Sequence, residues 1–207
     1  MKKLLFALSI LALVVSPIAA RAQSHEYSPL VEKTVNYKTW KLPNITTAKD
    51  EDLRSLIAGK KLVMIVYFAP WCGNWRNEAP IAAKLYEKYK AQGFQVIGIS
   101  EYAKTSDAYT FFGEKDPPYP VVSESESRED KEKTSHYGYR QLTGDTRNWG
   151  SPWNIFLEPD KVNKTGEVLA EKAWVVNGEL IEDEVDKFIA SKVGAGTSAT
   201  VIQPCKN

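Results

Sequence analysis

Apolar residues fall along the chain in two periods. Leu62 to Phe68 (LVMIVYF) is an unbroken apolar, β-branched run, the pattern of a strand covered on both faces. After a short break the period lengthens. Ala82, Leu85, Tyr86 and Tyr89 recur at helical spacing among Lys84, Glu87, Lys88 and Lys90, and Gly93 stands where a helix would be capped. Phe94 to Ile99 (FQVIGI) then predicts a second buried strand. Strand, crossover helix and strand make a βαβ unit, so the two strands are expected parallel with a right-handed connection.

Weaker patterns flank this unit. Leu30 to Tyr37 alternates loosely and suits an edge strand. Thr46 or Thr47 is placed to cap a short helix that starts on Asp50-Glu51-Asp52, carries Leu53, Leu56 and Ile57 inward and stops at Gly59. Ser106 to Phe112 predicts another short helix, and Pro117 to Pro120 an extended path into Val121-Val122. Ser123 to Lys133 (SESESREDKEK) is a charge run. Ser127-Arg128-Glu129-Asp130 resembles a capping box, which predicts one solvated helix running on towards Arg140, with Gly144 beyond its end. Gly150-Ser151-Pro152 leads into a strand ending at Leu157. Glu158 to Gly166 forms a turn, Val168 to Val176 a partner strand, and Asn177-Gly178 a tight turn. Ile181 to Val193 closes the domain as an amphipathic helix with Val185, Phe188 and Ile189 inward. No internal repeat is visible.

The ends differ in composition from this body. Lys2 and Lys3 precede an apolar run from Leu4 to Val15, then Pro17 and the small-x-small triplet Ala20-Arg21-Ala22. This is the pattern of a cleaved signal peptide over residues 1–22, too short for a spanning helix of about 20 apolar residues. A domain over 23–193 and a flexible tail over 194–207, rich in Gly, Ala, Ser and Thr and carrying Cys205, complete the expected organisation. The implied location is periplasmic or secreted after cleavage near Ala22, an oxidising setting. Loss of residues 1–22 removes Lys2, Lys3 and Arg21 and no acid, which takes the net charge from +1 to −2. That balance gives no footing for nucleic acid. Two histidines and two cysteines in 207 residues have no metal-ligand spacing, so no metal is expected.

The candidate chemistry lies where the first strand meets its helix. Cys72 sits at the predicted helix N-terminus, where unpaired N–H groups and the helix dipole favour an anionic sulfur. The string Trp71-Cys72-Gly73-Asn74-Trp75-Arg76-Asn77-Glu78-Ala79-Pro80 resembles the active site of the thioredoxin superfamily. It is most similar to the exported TlpA/ResA-like thiol–disulfide oxidoreductases, whose pattern is W-C-x-P-C-x-x-E-x-P. Trp71, Cys72, Glu78 and Pro80 match in register. Asn74 replaces the usual proline, and Trp75 replaces the second cysteine.

The resemblance implies a thioredoxin-like α/β fold, with a central mixed β-sheet flanked by helices on both faces. It implies Cys72 as nucleophile and Glu78 as a proton-handling group. Trp71, Gly73, Asn74, Trp75, Ser151 and Pro152 would form the substrate groove, Pro152 following a cis peptide bond and facing Cys72. Partners would be protein thiols or disulfides bound as extended peptides, together with an external thiol reductant; no cofactor is implied. Three functions are compatible with Trp75. Cys72 exchanges disulfides or isomerises them alone, with release by an external thiol or by Cys205 as a resolving cysteine. Alternatively, the groove only binds, with Cys72 vestigial. In the third, Cys72 and Cys205 form a structural disulfide. A one-cysteine peroxidase fits less well, because the threonine expected three residues before the cysteine is Ala69.

Overall fold

The computed structural model describes residues 25–194. The expected βαβ unit is its centre. Strand β5 (Leu62–Phe68) is buried at every position, as is β6 (Phe94–Ser100). They pair in parallel from Leu62↔Phe94 to Phe68↔Ser100. Between them runs helix α2 (Gly73–Tyr89), a short 3₁₀ turn (Lys90–Gln92), and Gly93 at φ 100°, a left-handed conformation that glycine adopts without Cβ strain.

The chain opens with β1 (Tyr27–Ser28), β2 (Val31–Lys38), β3 (Lys41–Pro43), β4 (Asp50–Asp52) and helix α1 (Leu53–Ile57). After β6 come α3 (Thr105–Phe111), β7 (Val121–Ser123), a 3₁₀ segment (Arg128–Lys133) and α4 (Ser135–Thr143). Strands β8 (Trp153–Leu157), β9 (Val168–Val176) and β10 (Glu179–Leu180), then α5 (Glu182–Val193), complete the order. The main sheet runs β2-β9-β8-β5-β6-β7, with β5, β6 and β7 parallel and β8, β9 and β2 joined antiparallel. It is a mixed sheet with helices on both faces, the thioredoxin-like fold that the resemblance implied.

Because side chains alternate along a strand, β5 feeds two cores. Leu62, Met64, Val66 and Phe68 pack under α2 and α5 with Leu85, Tyr89, Val185 and Ile189. Val63, Ile65 and Tyr67 face the other way, against Leu53, Ile57, Tyr139 and Trp153. Both edges of the sheet are irregular. In β2, Asn36 has φ 47° and the pairing with β9 shifts between Thr34 and Tyr37. At β7, the Ile45 N–H donates to the Val121 carbonyl (3.0 Å), and Asn44 bridges Val122.

Two expectations are corrected. Thr46 and Thr47 do not cap α1. Asp50–Asp52 is strand β4, paired with β3, and the Asp52 side chain caps α1 by accepting from Ser55 N at 3.1 Å. A carboxylate next to the first turn caps it directly, which leaves the distant threonines no role there. The charge run does not form one solvated helix to Arg140. Ser127 caps only the 3₁₀ segment, Thr134 takes an extended conformation and starts α4, and Gly144 ends α4 at φ 76°. His136, Tyr139, Arg140 and Thr143 are buried, so α4 is a core helix.

Candidate active site around Cys72

Cys72 is the N-cap of α2, at an extended φ of −76° and ψ of 129°, and is half-buried. Strand β5 ends at Phe68, and the Cys72 N–H closes a tight turn onto the Ala69 carbonyl at 2.9 Å. The sulfur therefore sits at the carboxyl end of the central strand, where the α/β sandwich opens. Across from it the Ser151–Pro152 peptide bond is cis. The Cys72 Sγ–H donates to the Ser151 carbonyl at 3.1 Å. The Ser151 hydroxyl in turn accepts from Ala69 N at 2.9 Å, which ties the two loops together on both sides of the sulfur.

The cis-proline loop is held by buried polar groups that the sequence reading did not single out. Arg147 Nη2 donates to the Pro152 carbonyl (2.8 Å) and to Asp145 (2.7 Å), and Arg140 Nε donates to the same carboxylate at 3.0 Å. Arg140 Nη2 also reaches the Arg147 carbonyl. Burial disfavours the Asp145 charge, but the Arg147 hydrogen bonds and both guanidiniums outweigh it and hold the carboxyl below its usual range. Gly150 is at φ 58°, and a Cβ there would overlap the Arg140 side chain, so glycine is required on both counts. His136 Nε2 lies 3.2 Å from the Gly150 carbonyl, which must accept; Nδ1 is therefore the acceptor for the Tyr102 hydroxyl at 2.9 Å. Burial, with the Arg140 charge nearby, keeps this imidazole neutral well below its ordinary pKa. The visible signal was Asp145 and Arg147, opposite charges just ahead of Gly150-Ser151-Pro152.

Glu78, expected in a proton-handling role, is fully buried in α2. It accepts from Leu180 N at 2.8 Å and from Asn154 Nδ2 at 3.3 Å. Burial outweighs these bonds and pushes its carboxyl up to about 8, so it is largely protonated at neutral pH. Asn154 follows Pro152 by two positions on β8, which links the acid to the cis-proline strand.

Trp75 is corrected as a groove residue. Its indole has no exposed surface and stacks on Phe68 (centroids 4.5 Å apart) and on Phe111 (5.7 Å), because an aromatic at that helical position points into the core between α2 and α3. It occupies the core instead of offering surface to a substrate. Asn74 and Ser151 are also largely covered, at 9% and 3% exposure, while Trp71 and Gly73 are half-exposed. Cys205 lies outside the described residues.

Beside Cys72 is an aromatic and basic surface. The Trp71 indole N–H donates to the Tyr102 carbonyl (3.1 Å), and its ring meets Trp149 edge-on at 5.2 Å. The Arg128 guanidinium lies over the Trp71 ring at 4.0 Å and 5.7 Å from Trp149, and Lys131 lies 5.1 Å from Trp149. Trp71 also lines an open cavity of about 420 Å³, together with Pro70, Arg76, Asp107, Thr110 and Phe111.

This architecture, a cysteine on a helix N-terminus facing a cis-proline across the end of a mixed sheet, defines a thioredoxin-superfamily protein. The chain belongs to the redoxin family, whose model matches residues 38–172. Among solved structures it is similar to a thiol:disulfide interchange protein of the thioredoxin family from Chlorobium tepidum TLS, 19% identical at TM-score 0.53, over 76% of this chain and 95% of that one. It is also similar to MTB dsbF, 16% identical at TM-score 0.53, over 76% and 96%. At these identities the likeness is one of fold. Among curated proteins, it is 26% identical over 155 residues (70% of this chain, 65% of the other) to "Probable phospholipid hydroperoxide glutathione peroxidase 6, mitochondrial" of Arabidopsis thaliana. It is 36% identical over 47 residues (23% and 45%) to Thioredoxin-2 of Saccharomyces cerevisiae. The chain spans less than two thirds of the length of each of these two relatives.

Proposed function

We propose that this protein is an exported thiol–disulfide exchange protein that works through one cysteine, Cys72, on protein thiols or disulfides. The observation that carries the reading is the 3.1 Å hydrogen bond from Cys72 Sγ to the Ser151 carbonyl beside the cis bond. It brings a nucleophile and a backbone acceptor for an extended chain to one point. The Cys72 thiolate attacks one sulfur of a substrate disulfide, a new S–S bond to Cys72 forms, and the other sulfur leaves as a thiolate that takes up a proton. Trp75 cannot resolve this mixed disulfide. An external thiol attacks it instead, loses its proton, and releases Cys72 or the substrate. Glu78, protonated at neutral pH, is the proton-handling group of this site. The residue 1–22 pattern supports export.

The complete burial of Trp75 favours a second reading, a groove that binds peptide without turnover. One experiment separates the two. Mature protein carrying Cys205→Ser is incubated with a disulfide-containing protein such as insulin and a monothiol reductant. Exchange through Cys72 gives a trapped mixed disulfide without reductant and repeated turnover with it, both lost in Cys72→Ser. Peptide binding that survives Cys72→Ser, with no adduct in the parent, would establish the binding module and end the exchange reading.

A further inference from the structure

The charged stretch from Ser123 to Lys133 is not consumed by the fold or by the exchange chemistry, yet the chain places it against Trp71. Its 3₁₀ segment is fastened at several points. Glu126 accepts from the Thr105 hydroxyl at 2.6 Å, Ser127 caps the turn, and Lys131 bonds the Asn148 side chain at 3.3 Å. These anchors hold Arg128 over the Trp71 ring, its guanidinium carbon 4.0 Å from the ring centroid. A guanidinium held beside a ring still carries a fork of N–H groups, which matches a carboxylate in two parallel hydrogen bonds.

Among the described residues Arg128 pairs with no carboxylate, and neither does Arg76, which stands one helical turn past Cys72 with its N–H on the Cys72 carbonyl at 3.2 Å. Arg128 thus lies over the tryptophan that precedes Cys72, and Arg76 lines a cavity with that same tryptophan. Of the nearby acids, Asp130 pairs with Lys133 and Glu126 bonds Thr105, Asp107 lines the same cavity as Arg76, and Glu129 is exposed next to Arg128.

We propose that Arg128 and Arg76 form a carboxylate subsite which selects thiols and disulfides bearing an acidic group close to the exchanging sulfur. The inference rests on Cys72 being the exchanging sulfur. Two sources offer this chemistry: an acidic peptide around a substrate cysteine, and a small carboxylate-bearing thiol such as glutathione. In either case the carboxylate docks on the guanidinium edge and the bond-making step is unchanged. Cys72 forms the new S–S bond, the displaced sulfur leaves as thiolate, and an external thiol resolves the adduct.

The test uses the mature protein with Cys205→Ser, so that Cys72 is the one thiol. Rates are measured with an aspartate-flanked and a lysine-flanked cysteine peptide as their disulfides, with oxidised glutathione against cystamine, and by alkylation with iodoacetate against iodoacetamide. The readout is each anion-to-comparator ratio. The ratios are expected to favour the anion by about tenfold at low salt, to shrink towards unity near 0.5 M salt, and to invert in Arg128→Glu. Arg128→Gln should lie between, with thermal melting unchanged for this exposed residue. The peptide pair leading assigns the subsite to acidic proteins; glutathione leading assigns it to the small thiol. Ratios that stay the same in Arg128→Glu overturn the proposal. The alkylation pair keeps the two claims apart: an Arg128-dependent ratio there, with no disulfide exchange, sinks the exchange reading and leaves the subsite standing.

Discussion

Two regions meet at Cys72, and they are held by different forces. The segment from Leu62 to Gly93 is fixed by apolar burial: every residue of β5 is covered, and Trp75 stacks on Phe68 and on Phe111, which also meet each other. The segment from Thr134 to Pro152 is fixed by a polar network of His136, Arg140, Asp145 and Arg147, closed around Gly150. Burial is non-directional and sets a fold, whereas paired charges and hydrogen bonds are directional and can aim one carbonyl at one sulfur. Cys72 stands on the first kind of support, and the Ser151 carbonyl that accepts from it on the second.

The largest test of this contrast is Trp75→Cys. Removing the buried indole should destabilise by about 3–5 kcal/mol, read by urea melting. The new thiol, one helical turn from Cys72, should allow a disulfide within the helix and repeated insulin reduction without added monothiol. A folded variant with no gain in turnover would show that the apolar side has diverged from catalysis by more than one residue. On the polar side, Arg140→Met should destabilise by about 3 kcal/mol, the low end for a broken buried ion pair, because Arg147 still faces Asp145. It should also slow reaction of Cys72 with a neutral disulfide by loosening the cis-proline loop. A loss of stability with an unchanged rate would confine Arg140 to structure.

The two regions should also fail at opposite ends of the pH scale. Glu78 has a folded pKa near 8, above its unfolded value, so the native state is favoured while the acid is protonated. That advantage declines as pH rises from about 4.5 through about 8. Glu78→Gln should therefore make the alkaline limb shallower, by about 2 kcal/mol at pH 9. The full shift, at ~1.4 kcal/mol per unit, would convert to more, but a buried site relaxes when it charges. Glu101, raised in the same sense by burial and by Glu124, leaves part of the slope in place. His136 and Asp145 are depressed instead. Their stabilisation is lost as pH falls, from about 6.5 downwards for the imidazole and below about 4 for the carboxylate. Urea midpoints from about pH 2 to 9 check both limbs. The smallest effect is Thr134→Ala, which removes the cap bonding Tyr137 N at 3.1 Å and should lower stability by about 1 kcal/mol.

The apolar region was readable because its signal is local. Leu62–Phe68, the helix after Cys72 and Phe94–Ile99 announce themselves by period alone, and the motif around Trp71 added the cis-proline partner. The polar region resisted reading because its order comes from contacts distant in sequence. Ser123–Lys133 looks like a solvated helix until Thr134 is seen capping a separate one. Arg140 and His136 look like surface residues until Gly150 and Tyr102 bring them their partners. Trp75 was legible as an absent cysteine but not as a core residue, since nothing local announces that Phe111 waits beneath it.

The irregular borders of the main sheet bear on how the molecule keeps to itself. A straight border strand offers a row of free N–H and C=O groups on which another copy can add a strand, the first step towards fibrils. Here β2 is bent by the shift around Asn36 and carries Glu32, Lys33 and Lys38, while part of β7 is already occupied by the chain at Asn44 and Ile45. Neither border is a flat template for self-templated growth. An interior rich in β-branched strands is thus enclosed by borders that discourage polymerisation, leaving the mouth around Cys72 free to meet other chains.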